Sequence, residues 1–197
     1  MLFRSDTLKG GDFFSIPALV KVMAEGATDA LNWMIDEGGA VIRPTVVRAG
    51  GHSAYRTHAA GIGKVYVDAL KRIAEKHGAQ FRLGAEVKWI WRADADPKSP
   101  VLGVEVKQGR RVKNIKINKG LILASGGFSR DIKMRGDHYP YLSGDNWNCT
   151  NHKGATGEMI RYAQAVGADT LQMNFIQLYP YAAPDTEIGR ASCRERV

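Results

Sequence analysis

Apolar positions recur at helical spacing through the first eighty or so residues of the chain and at strand spacing after them. Leu19, Val20, Val22 and Met23 give an apolar side to a stretch that has Pro17 in its first turn, Ser15 in position to cap it, and Gly26 beyond it. A second stretch, Ala27 to Asp36, groups Ala30, Leu31, Trp33 and Met34 and stops at Gly38-Gly39. From about Ile62 to His77, Val65, Ala69, Leu70, Ile73 and Ala74 return to helical spacing, with Gly78 at the end. These patterns predict three helices whose apolar faces are core.

After Gly78 the period shortens. Phe81 to Leu83, Glu86 to Trp91, Val101 to Val106 and Val112 to Ile117 read as strands, with turns at Asp94-Ala95-Asp96-Pro97 and Gln108-Gly109-Arg110. Trp89 and Trp91 alternate within one of these strands, as packing on a single face requires. Gly120 to Ala124 is a continuous apolar run, the pattern of a strand buried on both faces, and it leads into Ser125-Gly126-Gly127, where the absence of β-carbons lets the backbone approach another group closely. A further helix is predicted from about Thr156 to Val166, followed by an irregular segment from Asn174 to Pro184.

Composition excludes several classes. The 197 residues are 44% hydrophobic and 24% charged, as in an ordinary globular protein. No apolar run approaches the roughly 20 residues that a membrane-crossing helix needs, and no signal-peptide pattern opens the sequence. The ends, Met1 to Ser5 and Glu187 to Val197, read as translated sequencing-adapter oligonucleotides, so residues 6–186 are expected to carry the natural fold and both ends to lack packed structure. Setting the ends aside lowers the formal net charge of +8 by about two units and leaves the rest dispersed along the chain, which weakens a nucleic-acid-binding reading. It also leaves Cys149 without a second cysteine. His52, His58, His77, His138 and His152 lack metal-ligand spacing, and no metal is expected.

The candidate chemistry lies where strand gives way to glycine. Ala124-Ser125-Gly126-Gly127-Phe128 and Thr150-Asn151-His152-Lys153-Gly154-Ala155-Thr156-Gly157-Glu158 both bring small residues to the end of an element, where backbone N–H groups meet a phosphate or a flavin edge. Thr156 and Glu158 also suit simple helix capping, and Gly126-Gly127 a tight turn. Gly61-Ile62-Gly63 is no dinucleotide loop, since Tyr66 stands where a third glycine belongs and no apolar strand precedes it.

These segments, together with Arg48 to His58, Gly84-Ala85-Glu86-Val87 and Phe175-Ile176-Gln177-Leu178-Tyr179-Pro180, occur in the order and spacing of the fumarate reductase/succinate dehydrogenase flavoproteins, and the chain resembles that family from about Lys9 to Pro180. The resemblance implies an α/β fold: part of a Rossmann-like FAD-binding domain, a parallel sheet with an antiparallel β-meander, incomplete at both ends. It implies FAD as cofactor, with Val87, Ala124, Ser125, Gly126, Gly127, Thr156, Gly157 and Glu158 as cofactor-binding residues. Lys153 replaces the family's proline and Glu158 its aspartate. Tyr179 stands at the position of a histidine that binds the substrate carboxylate in fumarate reductases, so it is a candidate substrate residue, or else a packed aromatic. The implied chemistry is hydride transfer between flavin and a C=C bond conjugated to a carboxylate or ketone, with a small unsaturated acid or ketone as substrate and the catalytic acid in a region not represented here. The alternatives are another FAD branch, such as an L-aspartate oxidase-like protein, or a non-catalytic basic module that binds nucleic acid.

Overall fold

The change of hydrophobic period coincides with a division of the chain into two units that meet between Phe81 and Arg82. The computed structural model describes residues 2–48, 50–58, 63–94, 96–144, 147, 149 and 151–178. No helix among them is long and apolar enough to cross a membrane.

The first unit carries α1 (Leu2–Gly10), α2 (Pro17–Asp36), a short antiparallel pair β1 (Val46–Val47) and β2 (Thr57–His58), and α3 (Lys64–Lys76). The two helices expected on either side of Gly26 are one. A glycine inside a helix costs only about 1 kcal/mol, which the flanking turns outweigh. Ile16, not Ser15, occupies the N-cap, and no side chain caps it. Arg72 of α3 donates from Nε to Gly38 O at 2.7 Å and from Nη2 to Gly39 O at 3.3 Å, which satisfies carbonyls left free beyond the end of α2. Ala69 and Ile73 are buried on the same helix.

Residues 2–5, expected to lack packed structure, lie in α1. Phe3 sits under the Arg56 guanidinium, 4.9 Å from ring centroid to Cζ. Leu2 itself is 58% exposed, and α1 buries none of its residues. Residues 187–197 lie outside the described residues. Asp6 closes the same corner: its Oδ2 accepts from Ser53 N at 2.8 Å, Ser53 Oγ at 2.9 Å and Arg56 Nη1 at 2.6 Å.

In the second unit, β3 (Ala85–Arg92), β4 (Val101–Gln108) and β5 (Arg111–Lys116) form the expected meander, a three-stranded antiparallel sheet in the order β3-β4-β5. Its packed face meets α5 (Glu158–Ala165) through Ile90, Val104, Val106 and Ala163, flanked by Val87, Leu121, Met159 and Tyr162. The pairing of β3 with β4 slips between Val87 and Trp89. That bulge inserts Lys88, which allows Val87 and Ile90, three positions apart, to face the same core. Trp89 meets Tyr162 edge-on at 5.7 Å, while Trp91 remains 43% exposed. A short helix α4 (Ile132–His138) and a 3₁₀ turn (Pro140–Leu142) complete the unit. The sequence patterns above miss α4, although Asp131 caps it by accepting from Met134 N at 2.9 Å.

Three strand expectations fail. Phe81 to Leu83 forms no strand, and both described sheets are antiparallel. Gly120 to Ala124 is likewise unpaired among the described residues, with Ile122 90% exposed. An apolar run suited to burial on both faces becomes a ladder strand only where neighbours supply backbone partners, and none of the described segments does.

The Asp6 cluster generates a pH prediction. The Ser53 backbone N–H, and next the Arg56 guanidinium, hold the Asp6 carboxyl down at about 2 from the ordinary value of 3.8. A carboxylate whose pKa is lowered by folding adds stability that is complete above the unfolded value and is lost as pH falls through the folded one. Stability of the first unit should therefore fall between about pH 4 and pH 2. Asp6→Asn should flatten that limb in acid-titrated thermal melts; an unchanged acid limb would refute the assignment.

Candidate functional site

Two glycine-bearing segments meet in the second unit. The backbone leaves β5, runs without regular structure through Ala124 to Phe128, and turns at Ser129-Arg130 into α4. Residues 151–157 return beside it: Gly157 N donates to Gly127 O at 3.3 Å, and Arg130 N donates to Ala155 O at 2.9 Å. Arg130 Nε reaches Asn151 O at 2.9 Å, and Asn151 Nδ2 reaches Ser129 Oγ at 2.7 Å. The two segments therefore lie side by side, beside the antiparallel meander.

Gly157 makes the approach possible. Its φ of +67° is left-handed, and a β-carbon there would stand 2.7 Å from Phe128 Cβ and 2.9 Å from Met134 Sδ. Only glycine fits both demands. It is the N-cap of α5, which has no side-chain cap, so the N–H groups of the first helical turn keep hydrogen-bonding capacity toward whatever lies in front of them. Gly126 has φ +80°, and a β-carbon at Gly126 or Gly127 would meet nothing within 4 Å, leaving the backbone open.

A cavity of about 240 Å³ lies between these elements, lined by Glu86, Val87, Ser125, Gly127, Gly154, Thr156, Gly157, Glu158 and Met159. Of the residues singled out from sequence, Val87, Ser125, Gly127, Thr156, Gly157 and Glu158 come together on its wall. Ala124 and Gly126 belong to the same segment but are not among the lining residues. Tyr179 lies outside the described residues, as does Thr150. Arg48 to His58, apart from Ala49, belongs to the first unit, where it carries β1's partner strand and the Ser53 and Arg56 contacts to Asp6.

Sequence reasoning missed the polar arrangement around the cavity. Glu86 accepts from Lys88 Nζ at 2.5 Å. That bond, aided by the Glu86 charge and then the Glu158 charge and opposed by burial, raises the Lys88 pKa above its ordinary range. Two positions apart on β3, the two side chains share a face of the strand, which brings the pair together. Outside the lining residues, Asp131 meets Arg161 of α5 in an ion pair. Partial burial of Asp131 opposes its charge, but the Met134 N–H and the Arg161 guanidinium outweigh it and hold its carboxyl below the usual range.

The wall thus offers open backbone, an uncapped helix start and two carboxylates. The first two suit anionic or electron-rich edges; Glu86 and Glu158 suit hydroxyl or amino donors. Whole small-molecule sites occupy about 300–1,000 Å³, so this cavity is smaller than a complete one.

Comparison with known proteins gives the same direction. The profile of the FAD binding domain family matches residues 2–195. The chain is 31% identical over 189 residues to the NADH:fumarate oxidoreductase of Klebsiella pneumoniae, covering 94% of this chain and 20% of that protein. It is 31% identical over 191 residues to the acrylate reductase flavoprotein subunit of Shewanella woodyi, covering 92% of this chain and 37% of that one. The open conformation of a flavocytochrome c3 fumarate reductase superposes with a TM-score of 0.83 at 26% identity, over 95% of this chain and 33% of that chain. The chain therefore spans between a fifth and two fifths of the length of these relatives.

Gly157→Ala should cost on the order of 3 kcal/mol, from left-handed strain plus the clash with Phe128. Chemical denaturation would measure it. A loss under about 0.5 kcal/mol, the range of an ordinary surface change, would mean that the close approach is not required.

Proposed function

The chain belongs to the FAD binding domain family, and from that premise we propose that it forms the nucleotide-holding part of an oxidoreductase that moves hydride between flavin and a C=C bond conjugated to a carboxylate or ketone. The observation that carries the reading is the shared cavity: open backbone at Ser125 to Gly127 and the uncapped start of α5 face one space, beside Val87 and Glu86. Those groups fit a dinucleotide. Bound FAD supplies the redox step, while the protein supplies binding, orientation and electrostatics.

Within this reading, the N–H groups at the start of α5 and the open backbone of Gly127 hold electron-rich edges of the cofactor. The Val87 backbone and the Glu86 side chain face its nucleoside end, where hydroxyl and amino groups donate to carboxylates. Glu158 adds a second acceptor on the opposite wall. Lys88, paired with Glu86, holds that carboxylate in one orientation and offsets the repulsion between the two acids. Tyr179 is the proposed substrate-facing residue, with a hydroxyl that donates one hydrogen bond where a fumarate reductase has histidine.

No Gly-x-Gly-x-x-Gly loop follows an apolar strand in this sequence, and such a loop supplies much of a dinucleotide's binding energy. The chain expressed alone should therefore purify colourless and reduce no unsaturated acid. In a longer protein that joins this segment to such a loop, FAD should bind. There Glu158→Ala should weaken FAD about tenfold, the loss of one charged hydrogen bond. Tyr179→Phe should lower turnover with flavin content unchanged. Flavin titration and steady-state reduction of acrylate, fumarate and urocanate are the measurements. FAD affinity indifferent to Glu158 would count against the site, and turnover indifferent to Tyr179 would return it to packing.

A further inference from the structure

Arg135 is the one charged residue that the described part of the chain buries, at 4% exposure. Its natural partner is absent. Asp131, one helical turn earlier on α4, is engaged by Arg161 and by the Met134 N–H. Arg135 instead donates from Nη1 to two backbone carbonyls, Ser129 O at 3.1 Å and Trp147 O at 3.2 Å, and its Nε is buried without an acceptor among the described residues. A buried guanidinium without a carboxylate is costly, and an apolar side chain of similar size would avoid the cost. Its two acceptors are informative. Ser129 belongs to the turn that follows Gly126-Gly127, and Trp147 to the segment that leads toward Gly154 and Glu158, so one side chain ties together the chain flanking both glycine-bearing walls of the cavity.

We propose that Arg135 is a positioning residue for the cofactor cavity: by clamping the Ser129 and Trp147 carbonyls it holds the two glycine walls at the separation that Gly157 N and Gly127 O require. The inference rests on the FAD reading given above. Arg135 is not among the cavity-lining residues and acts through the backbone carbonyls it binds. The stitching contacts beside it, Arg130 N to Ala155 O and Asn151 Nδ2 to Ser129 Oγ, run between exposed or half-buried groups and loosen readily without the clamp.

The test uses the longer protein that carries this segment, freed of flavin, with Arg135→Met and Arg135→Lys. Methionine preserves volume and removes the clamp; lysine retains a donor that reaches either carbonyl. Three measurements are made: FAD dissociation constant by fluorescence titration, thermal midpoint without FAD, and amide exchange at Arg130 and Gly157 without FAD. The expected result is a methionine variant with a flavin-free midpoint like the wild type's, about tenfold faster exchange at both amides and about tenfold weaker FAD binding, with lysine recovering part of each. Unchanged exchange in the methionine variant overturns the proposal whatever FAD does. A parallel loss of midpoint and affinity in both variants, with no recovery by lysine, overturns it too, because Arg135 would then only hold the fold. A wild-type protein that binds no FAD would overturn the functional reading instead, and the exchange result would still decide whether Arg135 sets the separation of the walls.

Discussion

The hydrogen bond from Gly157 N to Gly127 O is the contact on which the second unit depends. It requires left-handed backbone at the start of α5 and a space where no β-carbon stands. Given both, α5 leaves that point along the meander and lays Met159, Tyr162, Ala163 and Val166 against Ile90, Val104 and Val106. The same bond brings the open Gly127 backbone beside the helix start, so the interaction that organises the core also makes the cavity. Separating the two is impossible by substitution at Gly157 alone: any side chain there both strains the cap and pushes Phe128 away.

The bulge at Lys88 solves a second problem with a single residue. A regular strand would put Val87 and Ile90 on opposite faces, and either the core or the cavity wall would lose its side chain. One inserted residue restores both to the α5 side. Lys88, two positions after Glu86 on the same strand face, bonds that carboxylate, and its ammonium moderates an otherwise acidic wall. The facing of Val87 and Ile90 is therefore set by one local irregularity.

How much of this was legible in the sequence depends on whether the signal was local. The meander was, because β3, β4 and β5 alternate and are punctuated by Asp-Pro and Gly-Arg turns; so was the α5 start, because Gly154 to Glu158 concentrates small residues before a periodic stretch. The continuity of α2 through Gly26 was not, since glycine is a strong break signal in sequence and a cost of only about 1 kcal/mol in a helix. The run from Gly120 to Ala124 misled for a different reason: its hydrophobicity specifies burial, but a strand also needs a partner's backbone. The Lys88 bulge and the Arg135 clamp had no local signature at all. Each is a consequence of register and of a distant carbonyl, which the residues themselves do not encode one by one.

Charge gives the last step. The chain is basic overall, at +8, yet the cavity wall carries Glu86 and Glu158, with Lys88 held against the first of them. Fields at a site are set by groups within a few ångströms, because at ordinary ionic strength exposed charges beyond about 8–10 Å are largely screened. A polyanion drawn to the dispersed positive charge would meet two carboxylates on this wall, whereas a ligand with hydroxyl and amino donors at one end and electron-rich edges at the other finds a partner for each. The distribution of charge, not its sum, is what the proposed nucleotide-holding role of this wall rests on.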